Sequence, residues 1–310
     1  MIDRDKFFNI SENIGNDFSL VQGPGGNTSY KNLGKITIKK SGSFLNSSKT
    51  RNIFIEEDIT KLLKFYENID TNEKYSKDLS IETPLHIIFD QNYVFHYHSI
   101  LSIILSVNFE IDMLKSFCEK NGIIWVPYKR PGVELAREIK NIENIKDVNI
   151  FFLQNHGMLI TSDNLNDVEE IIVKTEKEFE KLTKVSKKNI FKNLTFNKKN
   201  SDGLYEYRFE NLKDLKNINN KYFFPDHAVF SNFNFYDLNE FDKQKAKNRA
   251  YFKDDLIFFN KELNPTELDI LRTVLIIYTM SKKILNYIDS ESGNSLYSSK
   301  DEKLRIEKNK

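Results

Sequence analysis

Five histidines occur in the chain, and three of them, His86, His96 and His98, fall within residues 86–98. The stretch that carries them reads Glu82-Thr-Pro-Leu-His86-Ile-Ile-Phe-Asp-Gln-Asn-Tyr-Val-Phe-His96-Tyr97-His98. Residues 94–98 have the pattern of a short strand, whose successive side chains point to opposite faces. His96 and His98 therefore share one face, with Tyr97 on the other. Two imidazoles side by side on a rigid strand make a bidentate platform for a divalent metal. The plainer reading is two polar residues on a wet sheet face. Pro84 suits the first turn of a helix, and a helix there would put Glu82 and His86, four residues apart, on one side. A carboxylate beside imidazoles supplies a proton carrier next to a Lewis acid.

The elements that must position these groups follow from the rest of the pattern. Residues 2–15 read as an amphipathic helix ending near Gly15. The most glycine-dense stretch comes next, Val21-Gln-Gly-Pro-Gly25-Gly26-Asn27-Thr28-Ser29-Tyr30. Its backbone N–H groups, with the Asn27, Thr28 and Ser29 side chains, suit a phosphate or carboxylate; a tight hairpin turn is the other reading. No Gly-Lys-Ser/Thr follows, so this is not a P-loop, nor does it fit a dinucleotide fingerprint. Residues 35–39 alternate as a half-buried strand before the turn Lys40-Ser41-Gly42. A strand at 51–56, a helix at 56–66 and a polar loop at 70–78 lead to Ser80. Beyond His98, an apolar helix or strand covers 100–107, a helix 111–121, a strand 123–126 and a helix 133–140. The buried strand 148–153 delivers Gln154-Asn155-His156-Gly157 to a strand end, where His156 can meet the other histidines and Gly157 leaves room for a ligand. A long helix is expected at 163–183. Composition then turns Lys- and Asn-rich, with a turn at Asp202-Gly203, strands at 205–209 and 255–260, a helix at 265–287, and a charged, frayed last dozen residues.

With 310 residues, 39% hydrophobic and 13% aromatic content, the chain can bury a large core and is not disordered. Lys+Arg of 46 against Asp+Glu of 45 gives no charge to recruit nucleic acid or an anionic membrane. The single cysteine, Cys118, reads as a packing residue and excludes an internal disulfide framework. No signal-like or membrane-spanning apolar run is visible, and a cytoplasmic protein without nucleic-acid or membrane partners is expected.

In order and spacing, five motifs resemble the class II aldolase/adducin family: Gly25-Gly26-Asn27-Thr28-Ser29, Lys40-Ser41-Gly42, Glu82-x-x-x-His86, His96-x-His98 and Asn155-His156-Gly157. The resemblance implies a three-layer α/β/α fold with a central mixed, mainly antiparallel sheet. It places a catalytic domain at 1–188 and a C-terminal α+β extension at 189–310. It makes His96, His98 and His156 metal ligands, with Zn2+ usual and Mn2+ or Co2+ as alternatives. Glu82 matches the catalytic acid/base, and Gly26, Asn27, Ser41, Gly42 and Ser80 match the loops that hold substrate phosphate. Ser80 is followed by Ile81, where sugar-phosphate aldolases often carry a second hydroxyl, which leaves room for a carboxylate or nucleotide-linked substrate. Phe224-Pro225-Asp226-His227 resembles a segment of the larger, rhamnulose-phosphate-aldolase-type members, so His227 becomes a possible site residue alongside His86. The resemblance is to the aldolase part of those members, and no dehydrogenase portion is expected.

The implied reaction is carbon–carbon bond cleavage or formation in a keto-sugar phosphate or related carbohydrate. Epimerase, dehydratase and decarboxylase chemistry in the same family needs the same stabilised charge, and the motifs do not separate them. An adducin-like binding module is the non-enzyme alternative; such a module is expected to lose metal ligands, whereas all three histidines and the glutamate are here. The family often draws a tyrosine acid from the C-terminal part or a neighbouring subunit, and the fourteen tyrosines offer no single choice. A homotetramer is expected from the resemblance, with weak support from aromatics such as Tyr222, Phe223 and Phe224.

Overall fold

The computed structural model describes residues 2–67, 75–142, 150–190, 194–199, 203–241 and 249–309. The first half of the chain runs α1 (Arg4–Asn16), β1 (Asn27–Asn32), β2 (Lys35–Lys39), a 3-10 turn (Leu45–Thr50), β3 (Phe54–Asp58), α2 (Ile59–Glu67), α3 (Thr83–Ile87) and β4 (Tyr93–Tyr97). It continues with α4 (Ile100–Asn108), α5 (Ile111–Lys120), β5 (Ile124–Val126), α6 (Val133–Lys140), β6 (Ile150–Leu153), β7 (Gly157–Ser162) and α7 (Leu165–Thr183). The seven strands form one sheet in the order β3-β2-β1-β4-β7-β6-β5. Only β5 and β6 pair in parallel; the other neighbours are antiparallel. The sheet is thus mixed and mainly antiparallel.

Side-chain alternation on the central strand β4 makes the layers. Tyr93, Phe95 and Tyr97 enter one core with Phe7 of α1, Ile103 of α4, Leu114 of α5 and Phe179 of α7. Val94 faces the other way, packing with Leu85 of α3, Val126 of β5 and Leu135 of α6. Ile36 and Ile38 of β2 complete that second layer with Leu62 of α2 and Val133 of α6. The result is an α/β/α sandwich. His96 follows Val94 on the same face, where the chain gives up apolar packing for polar chemistry.

The remainder comprises α8 (Lys187–Ile190), β8 (Leu194–Lys199), β9 (Tyr205–Phe209), a 3-10 turn (Leu215–Ile218), α9 (Pro225–Phe230), β10 (Asn234–Asp237), β11 (Arg249–Lys253), β12 (Leu256–Phe259), α10 (Pro265–Met280), α11 (Ser290–Ser298) and α12 (Lys300–Glu307). Its strands form a second sheet, β10-β11-β12-β9-β8. The apolar side chains of α9 and α10 join the same large core as α1, α4 and α7. Among the described residues, no helix is long and apolar enough to cross a membrane.

Several expectations need correction. Strand β3 runs to Asp58, so α2 begins at Ile59 rather than at residue 56. Helix α7 starts at Leu165, because Asn164 caps it and Asp163 instead accepts hydrogen bonds from the Asn92 backbone and side chain at 2.8 and 2.7 Å. Helix α10 ends at Met280, not 287: Asn108 Oδ1 accepts the Lys282 and Lys283 N–H groups, and Val107 O accepts that of Leu285. Those tertiary bonds take the place of further helical turns. Tyr222, Phe223 and Phe224 are buried within their own chain, so they lend no support to an assembly. Of the last dozen residues, expected to fray, Lys300–Glu307 form α12, capped by Ser299. The strand expected at 148–153 is seen from Ile150, residues 148 and 149 lying outside the described residues, as do Asp202 of the expected turn and residues 70–74 of the expected loop.

Candidate active site

Three separate pieces of chain bring the polar groups together. Strand β4 carries His96, and His98 follows its last residue. Glu82 sits at the cap position before α3, with Pro84 in that helix's first turn. His156 arrives on the β6–β7 turn, where Asn155 takes the left-handed conformation (φ 52°) that asparagine tolerates. The Asn155 N–H donates to Ser106 Oγ at 3.0 Å, and its side-chain amide donates to Phe223 O at 3.0 Å. The turn is thereby pinned to both halves of the chain. Gly157 then lets β7 approach β4: a Cβ there would lie 2.3 Å from Tyr97 O. Its role is close strand approach, rather than the ligand room expected from the sequence.

Within this frame His98 Nε2 lies 3.1 Å from His96 Nε2, and Glu82 Oε1 lies 3.3 Å from His96 Nε2 and 3.1 Å from His156 Nε2. All four residues are buried, and one ligand atom from each falls within 4.8 Å of every other. Four ligands at the ~2.0–2.1 Å typical of zinc–nitrogen bonds stand about 3.3–3.4 Å apart in a tetrahedron, close to these separations. The His96 Nδ1–H donates to Met158 O at 2.9 Å, which fixes the tautomer and turns a bare Nε2 lone pair inward. Two imidazole lone pairs facing each other, with the buried Glu82 Oε1 lacking a well-aligned donor, form a donor set that only a cation or a shared proton satisfies. The residues present fit a divalent metal.

Electrostatics agree. Burial alone would raise the Glu82 carboxyl, but the facing His96 and His156 rings outweigh it and hold the group well below the usual carboxylate range. Burial lowers His98, and pushes His156 down to about 4 despite Glu82. Both are neutral, as metal ligands must be. His96 moves the other way: burial opposes its protonation, yet the Glu82 charge raises it. A metal bound here competes with the proton that His96 and Glu82 otherwise share.

Over this cluster lies a narrow cleft whose walls include Gly26, Ser41, Gly42, Ser80, Glu82, His98 and His156. Asn27 is buried in β1 opposite His96 and is not among the lining residues. His86 is buried and bonds Ser29 Oγ through Nδ1 at 2.8 Å; burial lowers it to about 3. It stays outside the four-group cluster. His227 Nδ1 accepts the Phe223 N–H at 3.1 Å and packs among the rings of Tyr222, Phe223 and Phe224. Its neighbour Asp226, not His227, reaches the cleft.

The Class II Aldolase and Adducin N-terminal domain model matches residues 6–182. That stretch holds all four cluster residues. The chain belongs to the class II aldolase/adducin family. It is 32% identical over 177 residues to an L-fuculose phosphate aldolase of Methanocaldococcus jannaschii, covering 54% of this chain and 87% of that protein. It is 28% identical over 171 residues to the uncharacterized oxidoreductase YuxG of Bacillus subtilis, covering 47% of this chain but only 24% of that one. Among solved structures, the N-terminal class II aldolase domain of a conserved Thermoplasma acidophilum protein matches at 24% identity with a TM-score of 0.44, over 53% of this chain and 85% of that one. A Thermotoga maritima sugar-phosphate aldolase matches at 14% identity with a TM-score of 0.44, over 59% and 95%.

Four charged cleft residues, Lys39, Asp226, Glu302 and Arg305, escaped the sequence reading as site residues. Lys39, fully buried at the end of β2, donates to Pro24 O at 3.0 Å and Ser43 O at 2.7 Å, tying two cleft loops together. Burial, aided by Arg305, pushes its ammonium down to about 7. Asp226 and Arg305 come from α9 and α12, beyond the family match. For Arg305 a signal was present: Ser299-x-x-Glu302 is a helix-start pattern, and Glu302 and Arg305 are spaced three apart for pairing on it.

Proposed function

We propose that this chain is a metal-dependent aldolase that cleaves or forms a carbon–carbon bond in a keto-sugar phosphate or a related carbohydrate. The observation that carries the reading is the convergence of three imidazole Nε2 atoms and Glu82 Oε1 at one end of the cleft. His96, His98 and His156 would hold Zn2+, or Mn2+ or Co2+ in its place. When bound, the metal supplies a Lewis acid for the negative charge that develops on the keto-sugar oxygens as the bond breaks. Glu82, kept ionised, removes the proton from the carbon beside the carbonyl in the synthetic direction. It returns that proton in cleavage, a role typically worth ~10²–10⁴-fold. Gly26, Ser41, Gly42 and Ser80 line the cleft beside these groups and offer N–H and hydroxyl donors to an anionic substituent, with Lys39 behind them.

In this reading residues 1–188 form the catalytic domain and 189–310 an extension that closes one wall of its cleft through Asp226, Glu302 and Arg305. A homotetramer, acting in the cytoplasm on a small carbohydrate, accords with the family; sedimentation at micromolar concentration tests the assembly, and a fully active monomer would rule it out. The reaction is tested by incubating a panel of keto-sugar phosphates with metal-loaded and metal-stripped protein and measuring aldehyde release. Release that depends on added zinc is expected. Isomerised, dehydrated or decarboxylated product without aldehyde would replace the aldolase reading by the corresponding family chemistry. Metal-loaded protein that turns over no member of the panel would count against this substrate class.

A further inference from the structure

Among the described residues, His98 is the one cluster histidine whose second ring nitrogen faces a charge. Its Nε2 points to His96, which leaves Nδ1 3.4 Å from Asp226 Oδ2. Asp226 is 1% exposed and is clamped from its far side by Arg305, with Oδ1 accepting from Nη1 at 2.6 Å and Oδ2 from Nη2 at 3.0 Å. Arg305 in turn contacts Glu302 at 3.3 Å and stacks over Phe230, 5.0 Å from the ring centre. The pairing is bidentate and shielded, the geometry in which an arginine fixes a carboxylate most firmly. Space is reserved for the contact from below. A Cβ on Gly25 would stand 2.8 Å from His98 Nδ1 and 3.1 Å from Asp226 Oδ2, so any side chain there wedges between them.

We propose that Asp226 is the positioning residue for the metal ligand His98, and that Arg305 holds Asp226 in place, so that helix α12 completes the metal centre from outside the family domain. A carboxylate at Nδ1 keeps the proton on that nitrogen and presents the Nε2 lone pair to the metal, as the Met158 carbonyl does for His96. At 3.4 Å the contact is longer than a well-formed hydrogen bond. A metal held by Nε2 would draw electron density from the ring, make the Nδ1–H a stronger donor and so strengthen this contact. Coupling of this kind is reciprocal: whatever seats α12 favours metal on His98, and metal on His98 favours the seated helix.

The inference rests on the proposed metal site, and the experiment separates the two. Cobalt(II) is titrated against a competing chelator into the wild-type protein, Asp226→Asn, and the double variant Asp226→Asn/Arg305→Gln. Wild type is expected to bind about one cobalt per chain, and Asp226→Asn to bind ~10–100-fold more weakly, with an altered cobalt absorption spectrum. The single variant also leaves the Arg305 charge less balanced near the metal. The double variant removes that charge and is expected to remain as weak as the single one. Recovery of wild-type affinity in the double variant overturns the positioning role, since the loss would then have come from the unbalanced arginine. Folded Asp226→Asn with wild-type affinity overturns it outright. Failure of the wild type to bind cobalt overturns the metal site itself. As a second readout, cobalt should slow tryptic cleavage after Lys303 in wild-type α12 about fivefold or more and leave the Asp226→Asn rate unchanged. Equal protection in both proteins would sever the link between helix and metal.

Discussion

Replacing Gly157 by alanine probes the strand approach on which the site depends. The added Cβ would meet Tyr97 O at 2.3 Å and His98 Cα at 3.0 Å, both backbone atoms with no rotamer to yield. Ordinary contact begins near 3.4 Å, so the start of β7 and the end of β4 must part by roughly 1.1 Å (3.4 − 2.3), a misplacement on the scale that costs about 100-fold in a reactive geometry. The glycine also holds φ at +147°, a conformation that costs another residue about 1–3 kcal/mol. Overpacking adds about 1–3 kcal/mol, for a predicted loss of roughly 2–6 kcal/mol in stability. The larger consequence is local. His98 is the residue after Tyr97 and His156 the one before Gly157, while metal–ligand distances tolerate only about 0.2 Å. Metal affinity should fall on the order of 100-fold. Urea denaturation of the metal-free protein measures the first quantity, and chelator competition the second. A variant that loses less than about 1 kcal/mol and binds metal within threefold of wild type would refute the claim that this approach builds the site.

Converting His156 to alanine should remove most bound metal, read by elemental analysis after gel filtration; full occupancy would strike it from the ligand set. Glu82→Gln should keep the fold and hold metal through the three imidazoles, while turnover drops ~10²–10⁴-fold and substrate affinity changes less; wild-type kcat would end the acid/base assignment. Stability should fall with acid. Burial lowers His86 and His227 to about 3, and His156 to about 4, from an ordinary value of 6.5. Between those limits the unfolded chain binds protons that the folded one refuses. The contribution of these three histidines is therefore complete above about pH 6.5 and is lost as pH falls toward 3–4, at up to about 1.4 kcal/mol per pH unit for each histidine. His227→Asn, which keeps an acceptor for the Phe223 N–H, should make the decline shallower in metal-free protein; an unchanged slope would argue against this origin.

What could be read from the residues alone was whatever depends on local periodicity. The alternation in residues 94–98 placed His96 and His98 on one face, because strand side chains alternate whatever the partner strands are. Pro84 marked the start of α3, and the apolar patterns of 35–39 and 133–140 marked β2 and α6, because backbone constraints and amphipathicity act over a few residues. The motif order carried the family, and with it the layered sheet. Long-range packing decided the rest. Residues 300–307 look merely charged, yet the buried carboxylate of Asp226 gives Arg305 a partner 79 positions away, and that pairing seats α12 over the cleft. His227 looked the more reactive of two neighbours; its ring turns into an aromatic cluster and leaves Asp226 facing His98. Helix α10 stops at Met280 because Asn108 and Val107 offer its successors better-placed acceptors. Each of these outcomes was set by a contact between distant segments, where the desolvation of a charge or an unmet backbone hydrogen bond outweighs any local preference.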